Sequence, residues 1–582
     1  MQEIEKRNKE LLEEVEKLKR QVKTLKSRKK YGLVWEEEKE PEQIVLDCQY
    51  KIPILKEVKS KEVITDKEKP QNILIEGDNY HSLSVLSYTH KGKIDLVYID
   101  PPYNSGKKHE WKYNDCYIDE NDEYKNSKWL NFMNTRLSLA RNLLKSQGII
   151  FISIDNNELA QLRLLCDEVF GEENFIEIFS WIKTSTPPGL SNKTRKTNEY
   201  VLCYEKQKSI YKFFGEELDG GDQPLLNRGN KQRDLIFPKD KLFFKLEDCH
   251  LKKGEYGRVE LKTDIDIKNG FSSKDIIINA EFKWTQDTLD EELKKGTTFI
   301  AKSKDLSIRF IRQEDLGYKS PNNYIRESII TPLVNKKESE VGTNETASAE
   351  LLNLFRKKVF DNPKPISLIK YLVKFNTLKA ITVLDFFAGS GTTGHAVLEL
   401  NKEDGGNRKF ILCTNNEDNN GDGSKICSDI CYPRLKNVIE GYQNLKNGKN
   451  EGLGGNLKYF KTELLDIEHI SHVSDEQKIK LTYQAGDMIA LREGTFEEVE
   501  KDEWWQIFKD GTKYTAIYFK EDKKKLNELV KKLSKLKERV ILYIFSWGKN
   551  EYKNEFAEYK NIRVEDIPEP IIDVYKEVNR LS

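Results

Sequence analysis

Apolar residues recur at different periods along this 582-residue chain, and the changes of period mark its organisation. Over the first 28 residues they recur every seven: Ile4, Leu11, Leu18 and Leu25 hold one seam position, with Asn8, Val15 and Val22 on the alternate one. Leu at one seam position and Val at the other favours a two-stranded parallel coiled coil, and a lone seam Asn fixes its register. The plainer reading is a single amphipathic helix lying on its own domain. The spacing predicts pairing of two chains through residues 1–28.

From Gln71 strands alternate with helices. Asn72 to Ile75 is a short apolar strand ending at Gly77-Asp78-Asn79. Ile94 to Ile99 (IDLVYI) and Gly148 to Ile154 (GIIFISI) are continuous apolar runs, as expected for strands buried on both faces of a parallel sheet. Between them, Trp129 to Leu144 carries apolar residues at helical spacing. The rhythm fades over residues 207–350, a polar stretch that reads as irregular, and then resumes. Ile381 to Leu384 predicts a strand, Gly391 to Leu400 a helix, and Lys409 to Cys413 another strand. The expected fold is α/β: a doubly wound, Rossmann-like sheet in two parts, 29–206 and 351–450, split by the insertion. Residues 451–582, with strand-like Tyr514–Phe519 and Val540–Phe545, predict an α+β accessory domain.

Composition narrows the class. The length suggests about three to four domains. No run of about 18 apolar residues occurs, so no membrane span is expected. The N-terminus is charged from its third residue, unlike a signal peptide. Eight scattered cysteines without paired CxxC spacing read as reduced thiols of a cytoplasmic protein. The 97 basic and 97 acidic residues cancel. That counts mildly against nucleic acid as a partner, although local patches decide such binding.

Asp100-Pro101-Pro102-Tyr103 directly follows the IDLVYI strand. Ligands of such sheets bind beyond the carboxyl ends of the strands, so this tetrapeptide stands where chemistry happens. The Asp100 carboxylate and the Pro101 carbonyl can each accept one N–H of an exocyclic amine. Holding both draws the nitrogen toward tetrahedral geometry and frees its lone pair for attack. Two prolines stiffen the loop, and Tyr103 offers a face on which a base stacks for about 1–3 kcal/mol. Read alone, the four residues also suit a rigid strand-end turn.

Asp385-Phe386-Phe387-Ala388-Gly389-Ser390-Gly391-Thr392-Thr393 follows a second buried strand and opens a helix. Gly389 and Gly391 permit a tight turn and close approach to a ligand. Amides at a helix start favour a carboxylate. The third glycine of the dinucleotide fingerprint is missing, and no Gly-Lys-Ser or Gly-Lys-Thr phosphate loop occurs. The pattern points to the amino-acid end of S-adenosylmethionine. Glu417, beyond the FILCT strand, is placed to accept from ribose hydroxyls, with Asp418 as its competitor and a solvated loop acid as the plainer reading.

In this order the motifs resemble the β-class amino-methyltransferases, in which DPPY precedes the target-recognition region and the FxGxG cofactor loop follows it. More narrowly, the chain resembles the Mod subunit of type III restriction-modification systems. The matching stretches include LIEGDNYHSL, KIDLVYIDPPYNSG, SKWLNFMNTRLSLARNLL, GIIFISIDNNE, FGEENFI, NEYVLCYEK, NPKPISLIKYL and DFFAGSGTTGHAV, nearly the whole chain outside its middle. Phe386 departs from the proline many relatives carry there, without consequence for chemistry. The resemblance implies a circularly permuted methyltransferase sheet, with the catalytic half in 29–206, target recognition in 207–350 and the cofactor half in 351–450. It implies that Asp100, Pro101, Pro102 and Tyr103 are catalytic. Cofactor contacts would come from Asp78, Lys364, Asp385, Phe387, Ala388, Gly389, Ser390, Gly391, Thr392 and Glu417. On sequence alone Lys364-Pro365 fits a helix start equally well, and His395 reads as a packing residue.

The activity implied is methyl transfer from S-adenosylmethionine to N6 of an adenine flipped out of duplex DNA. The sulfonium is already an excellent leaving group, so no metal is expected, and no Pro-Cys nucleophile occurs. Lys231, Arg233, Arg309 and Arg312 of the insertion are candidate DNA contacts, each equally readable as surface charge. The rivals are N4-cytosine methylation, an RNA substrate, and a mainly DNA-targeting specificity subunit for a separate nuclease. The implied partners are duplex DNA, a second copy of the chain and a separate Res (helicase-nuclease) subunit.

Overall fold

The computed structural model describes residues 42–581 apart from 67, 107–109, 114–115, 119–120, 185, 188–192, 216–221, 313–319, 327–340, 419–422, 549–551 and 553–554. The heptads of residues 1–28, and the coiled coil expected of them, lie outside the described residues.

Eleven strands form the central sheet. In chain order they are β1 (Lys51–Glu57), β2 (Val63–Ile64), β3 (Gln71–Glu76), β4 (Ile94–Ile99), β5 (Leu144–Ile154), β6 (Phe175–Ile182), β7 (Asn198–Glu205), β8 (Tyr324–Ile325), β9 (Thr382–Asp385), β10 (Lys409–Thr414) and β11 (Asn456–Asp466). Their spatial order is β1-β11-β3-β10-β9-β4-β5-β7-β6-β8, with β2 paired on β11. From β11 to β5 every pairing is parallel. The outer pairings β1–β11, β5–β7 and β7–β6 are antiparallel.

The parallel strands are apolar at successive positions because helices cover both faces. Val97 and Ile99 of β4 pack into a core with α1 (Asn79–Thr89), α2 (Lys125–Leu143) and α3 (Leu159–Phe170). Leu96 and Tyr98 pack into the opposite core with α4 (Ile366–Lys374), α5 (Thr392–Asp404) and α6 (Tyr432–Glu440). Each buried aliphatic side chain contributes about 1.5–3 kcal/mol on either face, so both faces favour apolar residues. This makes the sheet mixed α/β. The two motif loops are brought together by the register of β9 on β4, with Val383 opposite Leu96 and Leu384 opposite Val97. At the other end of this pair, the Asp95 carboxylate accepts a hydrogen bond from the Thr382 backbone N–H at 2.9 Å, 287 positions away in sequence.

Residues 222–312, read from sequence as irregular, instead form small sheets around their own core of Leu235, Phe237, Ile276, Ile278, Phe299, Ile308 and Phe310. These strands span two to five residues. Their alternation of buried and exposed positions, as in Ile265–Lys268, is too brief to stand out among dense charges. The inserted body is thus narrower than 207–350, because β8 rejoins the central sheet beside β6. Likewise β11, inside the stretch expected to be accessory, belongs to the central sheet. Beyond it, five strands between Glu497 and Ile567 form a second sheet in chain order. The closing helix Glu569–Leu581 packs back on the main core, its Tyr575 phenol donating to the Pro53 carbonyl. Among the described residues no helix is long and apolar enough to cross a membrane.

The separate core of 222–312 makes a prediction. Phe299→Ala should cost about 3–5 kcal/mol of local stability. Hydrogen exchange should then accelerate across 222–312 while amides of β4 and β9 keep their protection. Equal loss in the central strands would show that the two cores unfold as one.

Candidate active site

Asp100 and Asp385 lie at neighbouring strand ends, one just after β4 and the other closing β9. The Asp100 carboxylate accepts from the Lys364 ammonium through both oxygens, at 2.9 and 2.8 Å, and from the Tyr103 phenol at 2.8 Å. Lys364 reaches it from the start of α4. Pro365 caps that helix with extended backbone, and a proline disfavours helical backbone in the residue before it. Lys364 is buried, and its ammonium lies 5.1 Å from the centre of the Tyr103 ring. The ring is therefore half-buried with a cation over it, rather than a bare platform. From sequence Lys364 is expected at the cofactor, whereas the structure sets it on the Asp100 carboxylate.

Sequence reasoning missed Glu199 of β7. Buried, it accepts from Lys183 at 2.8 Å and from the Tyr103 phenol at 3.3 Å, and lies 3.5 Å from Lys364. Burial disfavours its anion, yet the Lys364 and Lys183 ammoniums outweigh burial and hold its carboxyl below the ordinary range. Burial likewise opposes the Lys364 charge, but Asp100 and Glu199 overcome it and raise that ammonium above its usual value. The Tyr103 phenol is pushed up by burial and by the two carboxylates, so it stays a donor. A usable signal existed in the sequence: Glu199 shares one face of its strand with Val201 and Cys203, where an acid is out of place.

The Asp100–Tyr103 loop is braced from behind. The Trp129 indole donates to the Pro102 carbonyl at 2.7 Å, and Pro101 is buried. Asn104 takes a left-handed conformation at φ +57°. Its amide donates to Glu158 at 2.6 Å and its oxygen accepts from the Trp111 indole at 3.3 Å. Glu110 accepts from the backbone N–H groups of Tyr103 and Ser105 at 3.1 and 2.7 Å.

The glycine loop is knotted by Asp385, which accepts from the Phe387 N–H at 3.0 Å and from the Thr393 hydroxyl at 2.6 Å. Burial pushes its carboxyl up to about 7 against these bonds, and the Asp100 charge adds to the rise. Gly389 and Gly391 take φ of +48° and +82°, and a Cβ on Gly391 would fall 3.0 Å from Cys431 Sγ. Ala388 donates to the Cys413 carbonyl, and Phe387 packs on Phe132 at 5.8 Å. The Ser390 and Thr392 hydroxyls, assigned from sequence to the cofactor, accept from the buried Arg434 guanidinium behind the loop, at 3.0 and 2.8 Å. Arg434 was also missed. It lies on the apolar face of α6 with Leu435 and Val438, an unusual place for a charge.

The remaining assignments are more dispersed. Asp78 caps α1, accepting from the Tyr80 N–H at 2.6 Å, and lies 3.7 Å from the buried Arg136. Glu417 is half-exposed and 3.8 Å from Lys112, a link between the loops after β10 and β4. His395 is buried between Arg434 and Glu399. In the insertion, Lys231 is exposed, whereas Arg309 pairs with Asp222 at 2.7 Å and Arg312 with Glu292 at 2.7 Å. These two arginines serve internal carboxylates.

Glu158 gives the site a pH signature. Among the described residues its buried Oε2 has no hydrogen-bond partner. Burial pushes the carboxyl up to about 7, countered only in part by Asn104 and Lys125. An acid raised in the fold stabilises it while protonated; that contribution is complete below the ordinary carboxylate range and lost as pH climbs through about 7. Glu158→Gln stays neutral, so its stability advantage over the wild type should grow with pH by up to about 1.4 kcal/mol per unit, then level off above pH 7. Thermal melts from about pH 5 to pH 8 check this; a gap that does not change with pH would refute it.

Comparison with known proteins agrees with this geometry. A family model described as DNA methylase matches residues 94–421. The Type III restriction-modification enzyme StyLTI Mod subunit of Salmonella typhimurium is 32% identical over 376 residues, covering 60% of this chain and 53% of that protein. The EcoPI Mod subunit of Escherichia phage P1 is 31% identical over 397 residues, covering 62% of this chain and 60% of its own length. The chain therefore spans little more than half of these Mod subunits. The Type II methyltransferase M.KpnI of Klebsiella pneumoniae is 31% identical over 401 residues, 64% of this chain and 89% of that protein. With the model spanning more than half of its length and both motif loops inside the match, the chain belongs to the DNA methylase family.

Proposed function

We propose that this chain methylates N6 of a flipped adenine in duplex DNA from S-adenosylmethionine, as the modification subunit of a type III restriction-modification system. The observation that carries this reading is the parallel β4–β9 pairing, which sets the Asp100 loop beside the Gly389–Gly391 loop. The glycine loop fits the cofactor: two left-handed glycines present bare backbone, and Gly391 caps α5 without a side-chain hydrogen bond, leaving its first amides for a carboxylate. When bound, S-adenosylmethionine supplies an electrophilic methyl group.

The protein's own part is positioning. Asp100 and the Pro101 carbonyl accept the two N–H bonds of the amine and turn its lone pair toward the donor. The Tyr103 ring lies against the base, offsetting part of the few kcal/mol of extrusion. Asp385, Phe387, Ala388 and Gly389 shape the cofactor wall, Ser390 and Thr392 brace it through Arg434, and Asp78 and Glu417 lie toward its ribose side. In this reading the sheet is circularly permuted, the insertion reads the target, residues 1–28 pair two copies, and a Res subunit supplies cleavage.

The test combines purified protein, duplex DNA and tritium-labelled S-adenosylmethionine, followed by mass spectrometry of the digested DNA. The expected product is N6-methyladenine. N4-methylcytosine would transfer the protein to the cytosine-amine rival, and DNA binding without methylation would favour a targeting role. Asp100→Ala should lower turnover by about a hundredfold to ten-thousandfold, with cofactor affinity nearly unchanged. Equal loss of both contradicts the assigned roles.

A further inference from the structure

Glu199 takes no part in gripping the amine, yet its two oxygens are differently engaged. Oε1 takes the Lys183 ammonium at 2.8 Å, which fixes the carboxylate. Oε2 faces the two groups that hold Asp100: the Tyr103 phenol at 3.3 Å and the Lys364 ammonium at 3.5 Å. Both donors stand between two carboxylates and lean toward Asp100, each at 2.8 Å from its nearer oxygen.

This matters for a carboxylate that must grip a substrate. Three hydrogen bonds already fall on Asp100, about three of the roughly four lone-pair positions a carboxylate offers. An ammonium across both oxygens also neutralises its charge and weakens it as an acceptor. Methyl transfer asks the opposite of it.

We propose that Glu199 is the standby acceptor of the site: as the amine reaches Asp100, Tyr103 and Lys364 pass their hydrogen bonds to Glu199 Oε2. No covalent bond changes, and each donor moves by less than an ångström. Two carboxylates and two ammoniums balance before and after, so no buried charge is stranded. Glu199 is thus a positioning residue, with Lys183 as its anchor. The proposal rests on the methyl-transfer reading.

Four full-length proteins test it: wild type, Glu199→Gln, Tyr103→Phe and the double variant, assayed for methyl transfer and for cofactor binding by calorimetry. Wild-type turnover tests the methyl-transfer reading alone; an inactive wild type sinks that reading and this one with it. With an active wild type, Glu199→Gln should lower kcat about tenfold or more, with KM for DNA and cofactor Kd within about twofold. The neutral amide introduced by Glu199→Gln is a weaker acceptor than the carboxylate, so the phenol stays on Asp100, and Tyr103→Phe should cost less in the Glu199→Gln background than in the wild type. An unchanged kcat, or losses that simply multiply, overturns the proposal. Should Glu199→Gln lose cofactor binding, Lys183→Met leaves the carboxylate in place but unanchored. A fall in kcat at constant cofactor Kd then supports the proposal, and an unchanged kcat ends it.

Discussion

Two strands from opposite halves of the chain, β4 and β9, lie side by side and point the same way, so the loops leaving them emerge at the same edge of the sheet. Everything at the site descends from that pairing. Its register is doubly enforced, because alternate residues of β4 feed two different cores and a one-residue slip would exchange them. At the opposite end, Asp95 ties down the first residue of β9. A proline-stiffened acceptor loop and a glycine-rich cradle are thereby held at fixed separation by strands that bury nearly every side chain they carry.

Such burial sets a second constraint, since the Asp100 side chain at this edge is only 27% exposed and meets limited water. Asp100, Glu199, Lys183 and Lys364 meet it by mutual neutralisation, each charge held by opposite ones within hydrogen-bond range. Removing one partner from such a group typically costs more than the group gains over an apolar core. The arrangement is therefore better understood as a device for holding an acceptor in place in a partly enclosed site than as a source of stability. Arg434 does the corresponding work behind the glycine loop, where neutral hydroxyls of Ser390 and Thr392 accept its hydrogen bonds.

Much of this was legible in the sequence, for identifiable reasons. Parallel strands buried on both faces leave unbroken apolar runs, and IDLVYI and GIIFISI stand out on that account. DPPY and the glycine loop declare themselves because backbone constraint is written in residue type. The partners of Asp100 were not legible. Lys364 lies 264 positions away, and its helix-start setting says nothing about which carboxylate it meets. Glu199 and Arg434 left only a faint mark, a charge on an otherwise apolar face. The insertion was misread because its strands are shorter than the window over which alternation shows.

The place of that insertion is set by the sheet order. The chain leaves after β7 and returns at β8, both on the side of β5 away from the glycine loop. None of the strands between β9 and β11, which frame the cradle, is interrupted by it. Because the inserted body has its own core, its surface can change without disturbing the packing that fixes Asp100. On the proposed reading, with chemistry on the shared edge of two parallel strands and target reading in the inserted body, the fold separates how the reaction is done from where it is done. The separation is not complete: β7, from which the insertion departs, is also the strand that carries Glu199. The strand from which the inserted body departs therefore also supplies the carboxylate that shares both of Asp100's donors.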